Sequence, residues 1–270
     1  MNSLLARFKI SRQVSVTGGI GIIGLPLVGA IYVWGQSRQA ASQEVMDRAT
    51  RAQLAGNEFD NGMLLARRAE KDFLLRSQER YLGQHGKVMD EARAALGRLS
   101  AELADREAQG LAAKIKDGVE AYAKQFVQLG AKMKELGLEE KSGLMGEMRG
   151  AVREVEQKLE GTTDLSLLNV MMEMRRNEKD FLARVEAKYV DQVNAEGAKF
   201  ATLLEKVDFP AELKGQIAEK MKVYLGAFAK VVNGTNAVAA ETKKLSEIYA
   251  QMDPVLTTLQ ESVKTSYDAA

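Results

Sequence analysis

One ten-residue phrase occurs twice in this chain, and no other feature constrains the fold as much. Residues 67–76 read RRAEKDFLLR and residues 175–184 read RRNEKDFLAR, identical at eight of ten positions at an offset of 108. The match continues at that offset: Arg80-Tyr81 answers Lys188-Tyr189, and Gln84 answers Gln192. A repeat at this spacing divides the chain into two related halves.

Within each copy the charges are spaced for a helix. Arg68, Asp72 and Arg76 stand four apart, as do Arg176, Asp180 and Arg184. Such neighbours stabilise a helix by about 0.2–0.5 kcal/mol per pair. Phe73 and Phe181 fall on the other, apolar face. Steps of three and four back from Phe73 reach Glu70, Ala66, Met63, Phe59, Gly56, Ala52, Ala49 and Val45. The same steps back from Phe181 reach Glu178, Met174, Met171 and Leu167. Both stripes suit helices in a bundle. Each sets a glutamate on the packing seam, where an acid needs a partner or a proton. It is either a paired polar layer that fixes helix register or part of a ligand site or signalling element.

Composition points to an all-α protein. Of 270 residues 46% are apolar, 3 are proline and 6% are aromatic, and the remainder is rich in good helix formers. The net charge of +1 gives no support to nucleic-acid binding. The absence of cysteine excludes disulfides, thiolate zinc sites and cysteine nucleophiles. The single histidine, His85, sits in the polar stretch Gly83-Gln84-His85-Gly86 and is expected on the surface. No alternating strand pattern, glycine-rich phosphate loop or serine–histidine–acid set is present. No enzyme activity, cofactor or metal site is expected.

Residues 1–13 carry Arg7, Lys9 and Arg12 and no acid, and Val14 to Trp34 run without a charge. Those 21 residues span ~30 Å as a helix, enough to cross a bilayer. Positive charge before the span places residues 1–13 in the cytoplasm, residues 14–34 in the membrane and residues 36–270 beyond it. A cleaved signal peptide is the alternative, with Val28-Gly29-Ala30 as its site. Helices are expected from Gln36 to at least Arg76, with a new start at Ser77 or continuation to about Leu96. A turn at Gly97 to Ser100 follows, then helices over about 102–135, 141–160, 165–206, 210–234 and 237–266, the last with a kink at Pro254. Tyr122 and Phe126 answer Tyr224 and Phe228 at an offset of 102. Periodicity alone supports an elongated antiparallel bundle.

The doubled phrase resembles the helical bimodular sensor domain of bacterial methyl-accepting chemotaxis proteins, which also occurs in some sensor histidine kinases. That family carries M-R-R-x-E-K-D-F-L-x-R in each half, followed by K-Y-V or K-Y-L. The second copy fits from Met174 to Val190. The first departs at Ala66, where the family has methionine, and at Arg80, where it has lysine. The signature residues are therefore Arg67, Arg68, Glu70, Lys71, Asp72, Phe73 and Arg76, with Arg175, Arg176, Glu178, Lys179, Asp180, Phe181 and Arg184. The resemblance covers roughly residues 36–270. It implies two stacked four-helix modules sharing long helices, a periplasmic location on the bacterial inner membrane, and a homodimer.

It also implies small organic acids as ligands. Family members use a basic pair low on the first periplasmic helix, where this chain has Arg48 and Arg51. Relatives add arginines from the last helix, but no arginine follows Arg184 here. Thr242, Lys243 and Lys244 are the nearest substitutes, and lysine does not replace the guanidinium fork. Tyr122 and Arg149 are conceivable contacts in the other module. The expected function is the sensory part of a chemoreceptor, with membrane lipid and a small carboxylate as partners. Downstream chemotaxis proteins join these if a cytoplasmic region follows Ala270. The alternatives are the sensor region of a membrane histidine kinase, or a membrane-anchored helical interaction module with no small ligand.

Overall fold

The computed structural model of the protein describes residues 10–160 and 164–268. It consists of α1 (Ile10–Arg76), α2 (Arg80–Glu102), α3 (Arg106–Leu136), α4 (Gly143–Leu159), α5 (Leu165–Arg184), α6 (Ala187–Lys206) and α7 (Ala211–Asp268). No strand occurs among the described residues. The three-and-four spacing of apolar residues accounts for the helices. In α3, Ile115, Val119, Tyr122, Phe126, Leu129 and Met133 are all buried, a stripe that lets α3 pack along α7.

α1 packs on α2, α5 packs on α6, and α7 packs on both α3 and α4. The buried side chains form two cores. The first draws Phe59 and Phe73 from α1, Met89 and Leu96 from α2, Ile115 and Phe126 from α3, and Leu245 and Leu259 from α7. The second draws Val152 and Val155 from α4, Met174 and Phe181 from α5, Val193 and Phe200 from α6, and Ile217 and Phe228 from α7. Among the described residues, α7 alone contributes buried residues to both. Each fully buried Phe, Met or Leu stabilises its core by roughly 1.5–3 kcal/mol.

Both copies of the phrase end the same way. After Arg76 the chain turns left-handed at Ser77, with φ 51°, and after Arg184 it does so at Val185, with φ 54°. Ser77 N donates to Phe73 O at 2.8 Å, and Val185 N donates to Phe181 O at 2.7 Å. These bonds close the helix ends. The single helix expected over residues 165–206 is therefore two helices with a corner at Val185.

Two other expected breaks are absent. α2 runs through Gly97 to Ser100, because Leu99 is buried and Ser100 returns its hydroxyl to Leu96 O. The turn falls at residues 103–105, where the Asp105 carboxylate accepts from Ala108 N and caps α3. α7 runs unbroken through both Gly234 and Pro254. A Cβ at Gly234 would lie 3.1 Å from Leu136 Cδ1 and 3.2 Å from Leu144 Cδ1. That glycine allows a close approach and does not stop the helix. Val45, expected on the seam of α1, is exposed, and the buried stripe begins at Ala49.

Of the chain's start, residues 1–9 and the side chains of residues 10–26 lie outside the described residues, and with them most of the 14–34 segment. No helix among the described residues is long and apolar enough to cross a membrane. Residues 161–163 also lie outside them. Asp164 caps α5 by accepting from Ser166 N and Leu167 N.

Candidate functional site

Glu70 is wholly buried in the first core. Three groups answer its charge. Arg67, one turn earlier on α1, reaches Glu70 Oε2 at 2.7 Å, and Tyr122 on α3 donates its hydroxyl to the same oxygen at 2.7 Å. Lys71 Nζ lies 2.9 Å from Oε1 as an ion pair without hydrogen-bond alignment. The Arg67 guanidinium lies over the Tyr249 ring, 4.5 Å from its centroid, which adds α7 to the cluster. Burial, then the charge of Glu70 and the hydrogen bond to it, push the Tyr122 hydroxyl well above its ordinary pKa. Tyr122 is therefore a neutral donor.

The second phrase rebuilds the cluster on α5. Glu178 is buried, and Arg175 Nη1 contacts both of its carboxylate oxygens at 2.5 Å. Tyr224 on α7 donates to Glu178 Oε2 at 2.8 Å, and Glu156 on α4 lies 3.7 Å from Arg175. Tyr224 is raised by the same causes as Tyr122, burial first. The aromatic pairs repeat too. Phe73 meets Phe126 edge-on at 5.7 Å, and Phe181 meets Phe228 edge-on at 5.8 Å. The seam glutamates are thus paired polar layers. Each ties the phrase helix to a tyrosine helix, and a one-turn slip would take the tyrosine hydroxyl away from a buried carboxylate.

The remaining signature residues face outward. Arg68, Lys71 and Arg76 are exposed, as are Arg176, Lys179 and Arg184, whereas Asp72 and Asp180 are half-buried. Arg76 pairs with Asp72 at 3.1 Å, and Arg68 reaches the same residue at 4.0 Å. In the second copy Arg184 pairs with Asp180 at 3.8 Å, but Arg176 turns to Glu173 at 3.3 Å. Tyr81 and Tyr189, just past the corners, each accept an arginine hydrogen bond, from Arg80 at 3.0 Å and from Arg184 at 2.8 Å.

His85 corrects a sequence expectation. It is buried, not on the surface, and it stacks on Phe126 with ring centroids 3.7 Å apart. Its Nε2 has no hydrogen-bond partner. Burial lowers its pKa from 6.5 to about 4, against a smaller upward pull from Glu70. The signal lay in the repeat, because the position 108 residues on is Val193, a core residue of the second half.

The expected proximal pocket is not assembled. Arg51 is taken by Glu102 at 2.9 Å and by Glu44 at 3.4 Å. Arg48 borders a small cleft also lined by Glu102, Asp105, Ser262 and Val263, a poor setting for a second carboxylate. Thr242 lies 21 residues before Val263 on α7, roughly 30 Å along the helix. Thr242 bonds back to Val238 O, Lys243 pairs with Glu247 at 3.8 Å, and Lys244 pairs with Glu241 at 2.9 Å. The structure does not bring Arg48 and Arg51 together with Thr242, Lys243 and Lys244. Tyr122 and Arg149 also separate. Tyr122 belongs to the first core, and Arg149 on α4 pairs with Glu140 at 2.6 Å. Among the described residues no acid, histidine or cysteine cluster is arranged to hold a metal.

No protein-family model matches the chain, and no curated protein matches it.

Proposed function

We propose that the chain is the ligand-binding sensory part of a transmembrane chemoreceptor of the bacterial inner membrane. In this reading residues 14–34 cross the membrane, and a periplasmic domain of two stacked four-helix modules sharing α7 follows, acting as a homodimer that senses small organic acids. The observation that carries it is the recurrence of one buried Arg–Glu–Tyr layer in both cores, with the first copy on a helix unbroken from Ile10 to Arg76. A packed layer of this kind has discrete arrangements, not a continuum. A ligand that favours one of them would shift α1 as a rod, and the shift would reach residues 14–34. Leu27, Val28, Ile31, Val33 and Trp34, at the end of that segment, stand exposed, as a lipid-facing stretch would.

The alternative of an interaction module without a small ligand draws on one observation, the pairing of Arg51 with Glu102 and Glu44. A distance measurement separates the two. Spin labels at Gln53 on α1 and Lys264 on α7 flank the groove between these helices. With the full chain in nanodiscs, a bound organic acid is expected to redistribute that distance. A distribution that no organic acid changes, at any concentration tried, would favour the interaction module.

A further inference from the structure

The corner that follows the first phrase carries a cleft of about 640 Å³ between α1 and α2. Arg68, Lys71, Arg76 and Arg80 line it with Tyr81, and among the described residues Asp72 is its one lining acid. Asp72 is shared by two arginines at 3.1 and 4.0 Å. Lys71 answers Glu70 beneath the cleft. Arg80 lies over the Tyr81 ring and bonds its hydroxyl. Glu79, at the mouth of the corner, is drawn away by Lys134 on α3. Positive charge is thus left in excess over a volume suited to a small molecule.

The second corner, with the same backbone turn, serves as an internal control. It keeps the cations as Arg176, Lys179, Arg184 and Lys188 but adds acids to them. Glu173 stands where the first half has Leu65, and it pairs with Arg176 at 3.3 Å. Glu186 stands where the first half has Gln78, and it pairs with Lys188 at 2.6 Å. A basic face kept only for solubility or helix stability would gain from such acids in both copies. They are missing at the first corner, whereas the cleft that Arg176 and Lys179 border in the second half is also lined by an acid from another helix, Glu156.

We infer that the cleft lined by Arg68, Lys71, Arg76 and Arg80 is a binding site for a small multivalent anion, whose carboxylate or phosphate oxygens the guanidinium groups take as forks. The site deepens the sensor reading by giving it a ligand position other than Arg48 and Arg51. It rests on that reading only for its biological meaning. The outward cations of the phrase make the binding edge, and Glu70, next to Lys71, connects that edge to the buried layer.

Isothermal titration of the full chain in detergent with citrate, and separately with pyrophosphate, tests the site. Saturable binding that weakens as salt is added is expected for at least one probe. Arg68→Gln with Arg80→Gln should weaken it about tenfold or more, since each lost charged hydrogen bond counts for about a factor of ten. Leu65→Glu, which copies the acid of the second corner onto an exposed position, should weaken it without removing any cation. Arg176→Gln with Lys188→Gln should leave it unchanged. Equal losses at both corners, or no loss in the first-corner variants, would overturn the site, and with citrate still bound the sensor reading would stand. Binding of pyrophosphate alone would keep the site and remove organic acids as its ligand. No saturable binding of either probe would overturn the site outright.

Discussion

The Tyr122 hydroxyl donates a 2.7 Å hydrogen bond to Glu70 Oε2, joining α3 to α1 inside the first core. Tyr224 and Glu178 repeat the bond at 2.8 Å in the second core. A neutral donor on a buried carboxylate is worth about 1.5–3 kcal/mol. Tyr122→Phe is therefore expected to lower unfolding stability by roughly that amount. The loss should shrink when Glu70→Gln is already present, and urea titration of the four variants of the cycle measures the difference. Additive losses would mean that the two side chains do not share a bond in solution.

His85 makes stability depend on pH in the acid range. Its pKa falls from 6.5 to about 4 on folding, because burial disfavours the charged ring. The folded state therefore resists a proton that the unfolded chain accepts. This contribution is fully favourable above about pH 6.5, is lost as the pH falls towards 4, and levels off below that. The loss amounts to roughly 3 kcal/mol at the acid end. His85→Val installs the residue found at the equivalent place in the second half, and it should flatten this part of the stability profile. An unchanged acid limb in that variant, followed by circular dichroism, would assign the pH dependence elsewhere.

Val185 holds a left-handed conformation, φ 54°, that β-branched residues rarely adopt. It is partly exposed, so little burial is at stake. Val185→Asn should stabilise the protein by about 1 kcal/mol through relief of that strain. A lower Tm in the variant would show that the Val185 side chain contributes more in packing than its conformation costs.

Arg48 and Arg51 are expected to be dispensable for ligand binding. Arg51 is held by Glu102, whose carboxyl the Arg51 hydrogen bond, and to a smaller extent its charge, keep below the ordinary range. In Arg48→Ala with Arg51→Ala, calorimetric affinity for citrate or pyrophosphate should match the parent. A large loss would restore these arginines as the ligand site and displace the Arg68–Arg80 cleft.

Much of this arrangement was legible in the sequence, and for identifiable reasons. The seam glutamates followed from spacing, because a core helix must bury every third or fourth side chain. Their tyrosine partners were foreshadowed by the match of Tyr122 and Phe126 to Tyr224 and Phe228, although which carboxylate they meet needed the fold. The corner at Val185 was missed because valine is a poor residue for a left-handed turn; the break near Ser77 in the first copy was the usable clue. Gly234 misled because glycine at a helix stop and glycine at a close helix contact look alike in sequence. His85 misled because a polar neighbourhood in sequence says little about which face of α2 turns inward. The grouping of Arg48 with Thr242, Lys243 and Lys244 needed the fold, which sets Arg48 beside Val263, 21 residues along α7 from Thr242.

The most direct test of the sensor account is thermal unfolding of the full chain in detergent against a panel of small organic acids. A ligand that binds only the folded state adds about 2.7 kcal/mol of stability at a hundredfold excess over its Kd. The account predicts a saturable rise in Tm with at least one acid in the panel. A Tm that stays flat across the panel, for a protein shown to be folded and helical, would contradict it.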